Sequence, residues 1–171
     1  LDICLTNYSQ APTRFYSNNN GQYLNVPTPF TVTVGHLANC WGDVDNDGDL
    51  DGVVLNVNTR PTVLESRSQT NHHWVQILLS GTQSNHDGVG ARVRVAAGAL
   101  VQTAEVHSGR GYQSHFGTRL HFGLGTANRV DRVEIRWPSA RRELFRNVAA
   151  NQLIILTEGT GEVMDPQRSN D

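Results

Sequence analysis

The chain has 171 residues, 37% of them hydrophobic, and a formal net charge of −2. That length suits one buried core, or one core with a small satellite. A balance so near neutrality implies no nucleic-acid partner, and no apolar run approaches the roughly 20 residues of a membrane-spanning helix. The charge is unevenly placed: residues 1–70 carry seven acids and three arginines, while residues 71–160 carry six acids and ten arginines. An acidic front and a basic middle can attract each other within or between chains, with ordinary surface charge as the bland alternative. Leu1 opens the chain without a basic and apolar leader, which fits either a mature secreted product or an excised fragment.

Strand signals dominate from the start. Leu1-Asp2-Ile3-Cys4-Leu5 alternates apolar and polar, a pattern suited to strand addition onto a neighbouring sheet. Asn7-Tyr8-Ser9 has the form of a glycosylation acceptor, a triplet common by chance. Segments 13–16 and 22–26 flank Asn18-Asn19-Asn20-Gly21, a strong hairpin turn. Pro27 and Pro29 punctuate before a β-branched run at 30–34. With the strand predicted for residues 51–58, these make one four-stranded unit of propeller-blade size. Cys4 and Cys40 fit no metal pattern. Bridged, they would close a loop worth about 3–4 kcal/mol in the chain-entropy model; two free buried thiols are the alternative.

Asp43-Val44-Asp45-Asn46-Asp47-Gly48-Asp49-Leu50-Asp51 is the segment that states its chemistry. Five carboxylates so close repel one another unless a cation sits among them. Alternation lets a tight loop aim side chains inward, and Gly48 permits the sharp turn. Hard oxygen donors favour Ca²⁺ over zinc or copper. Asp43, Asp45, Asp47 and Asp51 are expected as side-chain ligands and Asp49 through its backbone carbonyl. The loop is no EF-hand, because its twelfth position is Val54 where a bidentate Glu is required, and its flanks read as strands.

Residues 59–71 read as a polar connector broken by Pro61. A second β pattern follows, with strands expected at 73–79, 91–96, 100–107, 120–124, 129–137, 143–145 and 152–156, at sandwich-like spacing. Residues 161–171 read as a polar tail. No catalytic residue stands out. His72 and His73 would point to opposite faces of a strand, whereas His107, His115 and His121 lie in or near a glycine-rich loop. Ser108 and Ser114 lie in no nucleophile elbow, and Gly109-Arg110-Gly111 lacks the strand-to-helix setting of a phosphate loop. Asp87 with Asn85 makes either a second ion site or, more simply, a hydrogen-bonded turn. Arg110 and Tyr112 suit either a carbohydrate or peptide contact or plain packing.

Phe15-Tyr16-Ser17-Asn18-Asn19-Asn20-Gly21 with the 41–51 segment resembles an FG-GAP/VCBS repeat. Asn71-His72-His73-Trp74-Val75-Gln76-Ile77, residues 84–93, Leu120-His121-Phe122-Gly123-Leu124-Gly125 and residues 130–139 resemble the ASPIC/UnbV domain, in the order seen in the cartilage acidic protein family. The resemblance implies an extracellular or cell-surface protein that binds calcium through Asp43, Asp45, Asp47, Asp49 and Asp51, with no catalytic residues to carry over. Relatives carry several repeats where this chain has one, and a lone blade leaves strand edges to be covered. The expected fold is therefore all-β: a propeller-blade-like calcium-binding unit at 1–58, a connector at 59–71, an antiparallel β-sandwich at 72–160 and a tail at 161–171. The expected function is that of a non-enzymatic, calcium-stabilised structural or adhesion module. Its expected partners are copies of itself, in a filament built by N-terminal strand addition, or an extracellular protein or glycan. The alternative is the accessory C-terminal domain of a larger secreted or biosynthetic enzyme.

Overall fold

The computed structural model describes residues 3–8, 13–27, 35–67, 70–109, 115 and 117–164. Among them there are fourteen strands and no helix, so the protein is all-β. Two compact units emerge, residues 1–68 with 110–116 and residues 69–109 with 117–171. The expected strand at 30–34, and Arg110, Tyr112 and Ser114, lie outside the described residues.

In the first unit, β1 (Ile3–Leu5), β2 (Arg14–Asn19) and β3 (Gln22–Val26) form an antiparallel sheet in that order. The Asn20-Gly21 turn joins β2 to β3, and the Asn18 carboxamide oxygen accepts the Gly21 N–H at 2.7 Å. A second sheet holds β4 (His36–Gly42), β5 (Asp51–Asn56) and β6 (Thr62–Leu64). The Asn7 carbonyl accepts the His36 N–H at 2.7 Å, and the Phe15 and Trp41 rings lie 5.8 Å apart. Among the described residues, the strands grouped from sequence at 13–16, 22–26 and 51–58 are divided between these two three-stranded sheets. β6 falls inside the stretch read as connector. Pro61 misled that reading: it stands just before the strand, where no ladder N–H is needed, and the Asn56 side chain holds the turn through the Arg60 carbonyl and Thr62 hydroxyl. Of this unit's described hydrophobic residues, Val54 alone belongs to the buried class.

The expected Cys4–Cys40 bridge is not formed; both are free thiols. Cys4 pairs with Phe15 on one sheet and Cys40 with Val53 on the other. Burial pushes the Cys4 thiol pKa up. β1 pairs with β2 of its own chain, which uses the strand expected to be donated to a neighbour.

The second unit is built from two sheets. One has the order β10-β7-β13, from β10 (Leu120–Gly125), β7 (His73–Ser80) and β13 (Gln152–Thr157). The other has the order β14-β12-β11-β8-β9, from β14 (Glu162–Val163), β12 (Arg142–Ala149), β11 (Arg129–Arg136), β8 (Arg92–Ala97) and β9 (Leu100–Glu105). Alternating residues enter one core: Val75, Ile77 and Leu79 from β7 meet Val93 and Val95 from β8, Phe122 from β10, and Ile135 from β11. All described pairings are antiparallel except β13 with β7, which is parallel. The predicted tail begins as a strand instead. Gly161 explains it, for a Cβ there would lie 2.8 Å from the Phe145 ring and 2.9 Å from Glu143 Cβ, so only glycine lets β14 close onto β12.

Candidate metal centre

The aspartate loop connects β4 to β5, whose ends Gly42 and Asp51 are paired across the ladder. The ladder therefore brings the first and last carboxylates of the motif to one mouth. Within the loop, Asn46 and Gly48 take left-handed conformations with φ of 63° and 97°, a bend that glycine accepts without strain. Gly48 N–H donates to Asp43 Oδ2 at 3.1 Å, Asp47 N–H to Asp45 Oδ1 at 3.1 Å, and Asp49 N–H to Asp47 Oδ1 at 2.8 Å. Asp51 is buried, and its two oxygens accept the Val44 N–H at 2.7 Å and the Ser66 N–H at 2.8 Å.

One carboxylate oxygen each from Asp43, Asp45 and Asp51 lies within 4.8 Å of the others. Two oxygens on opposite sides of a Ca²⁺, each about 2.4 Å from it, stand about that far apart. The donor set fits the ion: hard, anionic oxygens on a loop whose backbone is already bent around them. The electrostatics agree. The Asp47 N–H pulls the Asp45 carboxyl pKa downward, yet desolvation and the charges of Asp47, Asp51 and Glu65 outweigh it and raise that pKa. Asp47 and Asp49 are not part of the trio. The Asp47 carboxylate caps the Asp49 N–H, and the Asp49 carboxylate accepts the Ser66 hydroxyl at 3.2 Å.

Sequence reasoning missed Ser66 and Glu65. They stand fifteen and fourteen residues beyond Asp51 in polar sequence, and only the pairing of β6 with β5 returns them to the loop. Asn7 is half-buried, with its carbonyl committed to His36. The histidines make no common site among the described residues: His121 stacks on Trp74 at 6.1 Å, His86 faces Asp87, and His107 lies 3.8 Å from Glu105. The Asn85 side chain spans both the N–H and the carbonyl of Val89 at 2.8 Å, so it serves the turn.

The second unit has two buried carboxylates of another kind. Glu143 accepts the Trp137 indole N–H at 2.8 Å, the Gly159 N–H and the Arg141 guanidinium. Glu158 accepts the N–H groups of Thr82, Gln83 and Ser84 on Oε2, and the hydroxyls of Ser84 and Ser139 on Oε1. Burial alone would raise the Glu158 pKa, but the Ser139 hydroxyl and the backbone N–H groups of Ser84, Gln83 and Thr82 outweigh it and hold it down at about 2. Both carboxylates have a full set of protein donors, which suits an anchor for turns rather than a proton-transfer site.

Residues 81–163 match the ASPIC and UnbV family. No curated protein matches the chain. The matched segment runs from the turn held by Glu158 through β14, so it takes in most of the second unit. β7 and the aspartate loop lie outside it.

Proposed function

We propose that this chain is a non-enzymatic, calcium-stabilised module of an extracellular or cell-surface protein, serving structure or adhesion. The observation that carries the reading is the convergence of Asp43, Asp45 and Asp51 at one point of the first unit. That unit has little apolar burial among its described residues, so an ion joining the ends of β4 and β5 would add stability where the core supplies little. The first unit is read as FG-GAP/VCBS-like on its sequence motif. The family match favours a second reading, in which the chain is the C-terminal part of a larger protein and its ASPIC/UnbV domain is an accessory to the rest. A filament built by donated N-terminal strands has less support, since β1 is occupied within its own chain.

Calcium titration of the purified chain tests the proposal. Added Ca²⁺ should raise the melting temperature of the first unit, by linkage worth about 2.7 kcal/mol at a hundredfold excess over Kd. Chelation should reverse it, and Asp45→Ala should abolish most of the response. A melting temperature indifferent to Ca²⁺ and chelator, with no metal by elemental analysis, would refute it.

A further inference from the structure

On the outer face of the five-stranded sheet the register sets Arg142, Arg136, Arg92 and Glu105 side by side on β12, β11, β8 and β9. Like charges directly opposite one another on neighbouring strands destabilise a sheet. Elsewhere on this sheet the repulsion is met internally: Glu134 lies 3.2 Å from both Arg94 and Arg132, and Arg146 meets Glu162 at 3.3 Å. Among the described residues, Arg92, Arg136 and Arg142 hold no such acidic partner. Arg92 and Arg136 are exposed and open onto a cavity of about 310 Å³, lined also by Gly90, Glu105, Pro138 and Ala140. Ala140 holds a φ of 69°, a left-handed conformation uncommon for a residue with a side chain, in the turn that forms one wall.

We propose that this cavity binds an acidic sugar, a uronate unit, with its carboxylate between the guanidiniums of Arg92 and Arg136. Two planar forks suit a carboxylate and offset their mutual repulsion by taking it up. Glu105 supplies the selectivity. As a carboxylate it only accepts, so it rewards a hydroxyl beside the bound anion and repels a second negative group. A ligand with one carboxylate flanked by hydroxyls meets both demands, which an inorganic dianion or an acidic peptide does not. The volume lies at the lower end of small-ligand sites, about 300–1,000 Å³, as a single sugar unit requires. The proposal stands apart from the calcium reading, because the site lies wholly within the second unit.

Isothermal titration of the full chain at low salt with galacturonate tests it, with three comparators: its methyl ester, tri-aspartate and inorganic sulfate. Galacturonate should bind saturably and each comparator at least tenfold more weakly. Arg136→Gln should weaken galacturonate binding at least tenfold, while Arg146→Gln, away from the cavity, should leave it unchanged. Arg136→Gln should melt no lower than the parent, because it removes a repulsion, so lost binding cannot be ascribed to misfolding. Absent binding, equal binding of the ester, or an unchanged affinity in Arg136→Gln would overturn the site. Equal binding of tri-aspartate or sulfate would overturn the sugar.

Discussion

Replacing Glu158 separates the hydrogen-bonding role of this residue from its charge. In the folded chain it is 2% exposed, and one oxygen receives three consecutive backbone N–H groups at 2.7 to 2.9 Å. Glu158→Ala strands those three donors; at the low end of about 1 kcal/mol for each unsatisfied amide, the loss is about 3 kcal/mol. Glu158→Gln keeps an oxygen for the three amides and presents its NH₂ to two hydroxyls that can rotate to accept, so its loss should be about 1–2 kcal/mol. The same geometry sets a pH dependence. The folded pKa of about 2 lies below the ordinary 4.5, so the charge contributes stability above pH 4.5 that is lost as pH falls toward 2. The full shift would correspond to roughly 3 kcal/mol, and screening in a surface turn reduces that to about 1–2 kcal/mol. Urea unfolding followed by fluorescence in a Trp41→Phe background reads the second unit alone, through Trp74 and Trp137. Glu158→Gln should lack the acid-dependent component between pH 4.5 and 2. If Glu158→Ala costs no more than Glu158→Gln, or if the acid dependence survives the amide, the carboxylate is not what holds the 82–84 turn.

Gly161→Ala should lower the stability of the second unit by about 1–3 kcal/mol, an overpacking cost, because the new Cβ meets the Phe145 ring and Glu143 Cβ; an unchanged urea midpoint would contradict it. Both thiols should be alkylated without prior reduction, and Cys4 should react more slowly at pH 8 than a free peptide thiol, since burial raises its pKa. Mass spectrometry that finds a Cys4–Cys40 disulfide in the purified protein would count against the free-thiol structure.

Much of this protein was legible from sequence because its signals are local. The strand 22–26 was read with its observed bounds from the turn before it, and the strand expected at 129–137 matches β11 within a residue, where side chains alternate between core and solvent. The run Asp43, Asp45, Asp47, Asp49 and Asp51 singled out the candidate centre because a nine-residue loop brings its own ends together, and the structure gathers Asp43, Asp45 and Asp51 of the five. What sequence could not reveal depends on which strand lies beside which. β6 and β14 are short and carry weak patterns, and each exists by pairing with a distant partner. The parallel union of β13 with β7 leaves no trace in either strand, because alternation carries no direction. Ser66 reaches Asp51 only through the ladder of β5 and β6. The row of Arg142, Arg136, Arg92 and Glu105 is likewise invisible along the chain. Its members are separated in sequence, and only the register of four strands aligns them.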